Sequence, residues 1–173
     1  MILCRFGFGH VWFYRCGHEQ AFLKVLKVRL IDCFRQGWWE HLENSDRFVL
    51  YSSVKTCIKR EKYFDCITSD VFRCALVRFR LGVSPINSHK FRYAPTQQSK
   101  FCPFCKDKEE DENHFLFDCP TYVKNRVKYL TQSHKLNMVQ LLKSRNDDLI
   151  VNTAKYLFIS FKLRYSLLEN QCS

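Results

Sequence analysis

Phe101 to Pro120 read FCPFCKDKEEDENHFLFDCP, and the rest of the chain is read outward from this stretch. Cys102 and Cys105 stand two residues apart, His114 follows after eight more, and Cys119 after a further four, giving C-x2-C-x8-H-x4-C. A two-residue gap lets the backbone turn sharply enough for both thiolates to face one ion, and the His114–Cys119 pair suits a turn or the start of a helix. Three thiolates and one imidazole make a closed tetrahedral shell for one Zn2+ with no position left for water, so the expected site is structural and not catalytic. Lys106 through Glu112 are charged throughout and read as a solvated loop in preference to a magnesium site. Such a segment cannot bury a core alone, whereas zinc supplies on the order of 10–16 kcal/mol in small finger peptides. Phe101, Phe104, Phe115, Leu116 and Phe117 are expected to pack around the metal and dock the knuckle on neighbouring helices. Cys119, just before Pro120, is expected at a helix amino terminus, where the dipole favours its thiolate.

On either side of this insert the apolar spacing is helical. From Glu19 to about Leu42, Phe22, Val25, Leu26, Leu30, Cys33 and Phe34 recur at three- and four-residue steps, with Lys24, Lys27, Arg29 and Arg35 between them. This predicts an amphipathic helix with a basic side, closed near Gly37 beside Trp38 and Trp39, and a turn at Asn44, Ser45 and Asp46. Phe48 to Lys55 (FVLYSSVK) fits a short strand or a helix start equally well. Ser69 or Asp70 can cap a second helix with Val71, Phe72, Ala75, Leu76 and Phe79 on one face and Gly82 as its carboxy-terminal stop. Pro85 to Pro95 reads as irregular, and Thr96 to Lys100 as a linker. Pro120 suits a helix first turn, followed by Tyr122, Val123, Val127 and Leu130 on an apolar side. A short helix fits Leu136 to Lys143. Asp147 or Asp148 can cap a last one carrying Ile150, Ala154, Leu157, Phe161, Tyr165 and Leu168. The expected fold is mostly α: a helical basic region over 1–95, a zinc knuckle over 96–120, and carboxy-terminal helices over 121–173 packed with the first region.

Composition narrows the classes. With 46% hydrophobic and 16% aromatic residues among 173, wholesale disorder is excluded, and 5 Gly with 4 Pro exclude a collagenous chain and argue against a loop-rich β-sandwich. No uncharged apolar run approaches the roughly 20 residues that cross a bilayer. Leu149 to Leu168 is the richest, and Lys155, Lys162 and Arg164 interrupt it, so no membrane partner is expected. Phe6 to Tyr14 is bracketed by Arg5 and Arg15, contains His10 and lacks a small-residue cleavage site, unlike a secretory signal. Ten cysteines are too sparse for a disulfide scaffold, and Cys16, Cys33, Cys57, Cys66, Cys74 and Cys172 follow no frame. A reduced, intracellular metal-binding protein accounts for this distribution, in nucleus or cytoplasm, with no run of five Lys/Arg to decide between them.

The formal charge is +11, and its excess precedes the knuckle: residues 1–100 hold 17 Lys and Arg against 8 Asp and Glu, residues 101–173 hold 11 against 9. A polyanion would meet Arg78, Arg80, Lys90, Arg92 and Lys100, with Phe91 and Tyr93 available to stack on unpaired bases. Lys124, Arg126 and Lys128 would extend that surface. The plainer alternative is a solvated basic surface with the two aromatics in the core.

Three segments carry a family likeness: GHVWFYRCGHEQAFLKVLKVRLIDCFRQGWWEHLENSDRF, ALVRFRLGVSPINSHKFRYAP and FCPFCKDKEEDENHFLFDCPTY. Together they resemble the carboxy-terminal region of non-LTR (LINE-type) retrotransposon polyproteins, in which a helical region and a cysteine–histidine zinc knuckle follow a reverse transcriptase. The likeness runs from about Gly9 to about Leu168 and is most specific at RFRLG (Arg78 to Gly82) and at the knuckle, where Cys102, Cys105, His114 and Cys119 match the motif. It implies binding of template RNA or target DNA in support of a polymerase domain located elsewhere. Polymerase aspartates are missing, since Asp147-Asp148 sits in a polar turn and Tyr63-Phe64-Asp65-Cys66 offers one carboxylate, so no enzyme is expected. Two rivals remain. One is a scaffold piece of such a polyprotein without nucleic-acid binding, its Trp12, Trp38 and Trp39 covering a domain interface. The other, a cysteine-nucleophile enzyme using Cys16 and His18, lacks an oxyanion site.

Overall fold

Helix dominates the computed structural model, which describes residues 6–9, 19–45, 48–131 and 135–170 and divides into two compact units, Met1–Ser45 and Asp46–Ser173. Phe115, Leu116 and Cys119, from the segment expected as a knuckle over 96–120, belong to the same buried cluster as Leu76, Phe79 and Leu157. Trp12, Cys16, His18, Asp46 and Cys172 lie outside the described residues.

In the first unit, α1 (Glu19–Glu43) runs straight past Gly37 and through Trp38 and Trp39, whose rings meet edge to face at 4.7 Å. One interior glycine costs a helix only about 1 kcal/mol, too little to end it without a following proline or left-handed residue. The expected amphipathic division is incomplete. Phe22, Leu26 and Cys33 are half-buried, whereas Leu23, Val25, Val28 and Phe34 are all more than half exposed.

The second unit is built on α8 (Asp147–Glu169). Against it pack α3 (Tyr63–Cys66), α4 (Asp70–Arg80), α6 (Val123–Tyr129) and α7 (Met138–Leu142), and α2 (Val49–Val54) packs on α4 and α7. FVLYSSVK therefore resolves as helix, with Leu50 and Val54, four apart on one face, buried. In α4, Ala75, Leu76 and Phe79 face inward, Val71 is exposed, and Ser69 is the N-cap without a side-chain bond. Gly82, at φ +69°, ends α4 as the spacing predicts: its N–H donates to Phe79 O (3.1 Å) and the Val83 N–H to Arg78 O (3.0 Å), the paired bonds of a Schellman cap. Asn146, one residue before the expected Asp147, caps α8 by accepting from the Leu149 N–H, and leaves both aspartates in the first turn, where the dipole favours them. Among the described residues, the only extended pairing is an isolated antiparallel bridge between Phe101 and Glu109.

Pro85 to Pro95 is not irregular. Asn87–Tyr93 forms α5, which lacks a local side-chain cap. Its amino terminus is satisfied from a distance: the Asn87 N–H donates to the Glu110 carboxylate (2.7 Å) and the Ser88 N–H to the Glu110 carbonyl (3.2 Å). The acidic run is likewise not a uniformly solvated loop. Asp107 and Glu109 are exposed, but Glu110 is fully buried and receives two hydrogen bonds from Arg164 of α8, at 3.1 and 2.7 Å. Glu112 is buried between His89 (2.9 Å) and Arg92 (3.0 Å). Burial would raise its pKa, but the His89 hydrogen bond, the charges on His89 and Arg92 and its own backbone bond hold it down to about 2.

Removing one member of a buried charge pair leaves the other uncompensated. Arg164→Ala is therefore expected to cost about 3–5 kcal/mol, read as a lowered urea midpoint at unchanged slope. Arg164→Lys should recover only part of the loss, because an ammonium cannot match both carboxylate oxygens. An Arg164→Ala midpoint equal to that of the wild type would refute the anchoring role.

Candidate metal centre

The first two sulfurs are placed by a tight turn. Lys106 donates its N–H to Cys102 O (2.8 Å) and Asp107 to Cys105 O (2.8 Å), with Lys106 in the left-handed region at φ +64°, which folds the chain back behind the two cysteines. The Cys102 N–H donates to Lys108 O (2.8 Å), and the Glu110 N–H to Lys100 O (2.9 Å). These bonds align residues 100–102 with 108–110, and Glu110 turns inward from this arm while Glu112 does so from the helical start that follows it.

The other two ligands come from a widened helical turn. Residues five apart on an α-helix point about 140° away from each other, so His114 and Cys119 could not share an ion on one. His114–Asp118 instead forms a π-helical turn in which the Cys119 N–H donates to His114 O (2.7 Å), stacking the two ligands one turn apart. The Asp111 carboxylate accepts from the His114 N–H (2.7 Å) and caps the turn. At its far end Arg126 donates to Leu116 O (2.8 Å) and Cys119 O (2.9 Å), and the Tyr156 hydroxyl donates to Phe115 O (2.6 Å). Pro120 then opens a 3-10 turn that leads into α6.

Together these turns bring the Sγ atoms of Cys102, Cys105 and Cys119 and a ring nitrogen of His114 to within 4.8 Å of one another. Cys119 Sγ lies 3.9 Å from Cys102 Sγ and 3.8 Å from Cys105 Sγ. Sulfurs bound at about 2.3 Å to one tetrahedral ion stand about 3.8 Å apart, so the spacing fits a shared metal. His114 is buried, and neither of its ring nitrogens has a hydrogen-bond partner among the described residues. An orphaned buried imidazole is costly, and a metal would remove that cost. The hydrogen bond between Cys102 and Cys119, with burial, holds the Cys102 thiol far above its ordinary range, and the same bond pulls Cys119 down. Burial pushes Cys105 up as well. Without a cation these sulfurs cannot all ionise together, and a divalent ion would let them.

Of the expected packing groups, Phe115 lies at the centre of the core, with ring centroids 4.6 Å from Tyr122, 5.2 Å from Phe161 and 6.0 Å from Tyr156. Leu116 is buried and Phe104 and Phe117 are partly so, but Phe101 is 46% exposed.

The residues expected to meet a polyanion differ in exposure and in partners. Arg78 and Tyr93 are exposed. Arg80 is buried, its guanidinium donating to Glu61 (2.9 Å) and lying 5.0 Å from the centre of the Tyr63 ring. Arg92 is paired with Glu112, and Lys100 with Glu109 at 3.2 Å. Lys90 is half-buried, and burial, with the nearby Arg164 charge, lowers its pKa. Arg126 serves the π-turn carbonyls, while Lys124 and Lys128 are exposed. Reading the sequence missed the supporting groups Glu110, Asp111, Glu112, His89, Tyr156 and Arg164.

Comparison with protein-family models, with curated proteins and with solved structures finds no match.

Cys105→Ser and His114→Ala are each expected to abolish metal retention, measured as metal per chain after gel filtration, while Cys74→Ser, an exposed thiol outside the cluster, retains it. Full metal content in either ligand variant would refute the set. A second expectation concerns Glu61. Burial would raise its pKa, but the Lys55 hydrogen bond and the Arg80 charge lower it overall. The resulting stabilisation is present above the ordinary glutamate pKa and lost as pH falls through the folded value. The deficit of Glu61→Gln in urea midpoint should therefore shrink between about pH 6 and about pH 3; a pH-independent deficit would contradict the ion pair.

Proposed function

We propose that the chain is a non-catalytic, zinc-binding module that binds RNA or single-stranded DNA, as a terminal piece of a reverse transcriptase-like protein of the non-LTR retrotransposon type. The observation that carries this reading is the buried His114 ring, both nitrogens unpartnered, beside three cysteine sulfurs. Soft thiolates with one imidazole select zinc among the common divalent ions, and a shell of four protein ligands leaves no site for a reacting water. Zinc would tie the knuckle arm to the π-helical turn. The net charge of +11 supports a polyanionic partner, whose binding would be salt-sensitive and weakly selective for sequence. The family likeness rests on the quoted segments alone.

A second reading, a scaffold piece that contacts a polymerase domain and no nucleic acid, is favoured by α1, where Leu23, Val25, Val28 and Phe34 are exposed.

Metal content and binding of single-stranded RNA, measured on one sample at low and moderate salt and again after chelation, separate the readings. One zinc per chain with salt-sensitive binding that chelation abolishes is the expected result. One zinc without binding at low salt, together with salt-insensitive self-association, would overturn nucleic-acid binding and leave the scaffold.

A further inference from the structure

Away from the metal centre, the loop between α2 and α3, the end of α4, α7 and the start of α8 enclose a cleft of about 430 Å3. Six of its lining residues are cations: Lys59, Arg60, Lys62, Arg80, Lys143 and Arg145. Glu61 is the one acidic residue among the lining, and its carboxylate is already held by Lys55 and Arg80. Outside the cleft, Asp65 pairs with Arg60 (2.8 Å) and Asp147 with Lys62 (2.7 Å). Lys59, Lys143 and Arg145 have no acidic partner among the described residues and are exposed. Arg80 is only 4% exposed, and its Nε is buried without a hydrogen-bond partner. A concave wall of one sign focuses the field inward and draws anions.

An aromatic edge adjoins this basic wall. Phe64 is 44% exposed, its ring lying beneath the Arg60 guanidinium at 5.6 Å and tilted against Tyr63 at 4.7 Å. Basic grooves bordered by accessible rings match single strands, whose phosphates follow the charges while an unpaired base stacks. The volume suits one nucleotide unit and is too small for a duplex.

We propose that this cleft seats backbone phosphate of a single-stranded nucleic acid, with Phe64 stacking a base at its edge. The proposal rests on the nucleic-acid reading above and moves its principal contact from the Arg78-to-Lys100 segment to Lys59, Lys143 and Arg145.

The test is a fluorescence-anisotropy titration of the zinc-loaded full chain with a labelled single-stranded oligouridylate, using wild type, Lys59→Glu/Arg145→Glu, Phe64→Ala and, outside the cleft, Lys124→Glu. The charge reversal should weaken binding more than about tenfold and reduce the log–log salt slope by about 1.4, from two lost single-strand phosphate contacts. Phe64→Ala should weaken binding about tenfold at a nearly unchanged slope, and Lys124→Glu less than either. Should the double variant lose its helical circular dichroism, Lys143→Glu gives the same readout with half the slope change. Wild-type affinity in the cleft variants would overturn the cleft and leave nucleic-acid binding standing, whereas no binding by the wild type would overturn both. Displacement of the oligouridylate by oligoglutamate as readily as by unlabelled strand would also overturn the assignment, making the cleft a general acidic-peptide site.

Discussion

Glu110 and Arg164 meet where neither side chain reaches water, and the geometry of the second unit depends on that meeting. Two charges leave solvent only where their attraction and further hydrogen bonds offset the desolvation of both. Here the carboxylate accepts from Arg164 and from the Asn87 amide, while the same residue's backbone is bonded to Lys100 and Ser88. One residue thereby holds together the arm that follows Cys105, the start of α5 and the carboxy-terminal half of α8. Glu112 repeats the device two residues on, binding His89 and Arg92 of α5. Asp111, between them, caps the turn that presents His114. The segment between Cys105 and His114 thus forms the joint through which the turn at Cys102 and Cys105 is held to the helices.

Local patterns were legible where local physics decides. The 3.6-residue spacing marks α1, α4 and α8, Gly82 marks the end of α4, and the four ligands stand in the order in which the structure brings them together. What escaped reading was whatever a distant partner decides. No cap precedes α5 in sequence, because its cap arrives from residue 110. Glu110 and Glu112 look like part of a solvated charge run, and only their distant partners Arg164, His89 and Arg92 account for their burial. Arg164 looks like an interruption of an apolar helix and is in fact its most deeply placed charge. The π-helical turn has no compositional mark, and only the geometric demand that residues 114 and 119 converge implies it.

Charge shows the same separation between count and location. Arg80, Arg92, Arg126 and Arg164 each spend their guanidinium on an internal acceptor, in keeping with a planar fork that satisfies several oxygens at once. The lysines Lys59, Lys124 and Lys143 remain at the surface. A basic composition therefore describes two populations, one that builds the fold and one that sets the external field, and the sequence does not label which is which.

Phe115 stands next to His114 and four residues before Cys119, and its ring lies at the centre of the aromatic core. Its seating fixes the turn that carries His114 and Cys119, so withdrawing either of them would disturb the core itself. Cys105, on the opposite turn, is only partly buried, and it is the side from which a chelator would reach an ion held there.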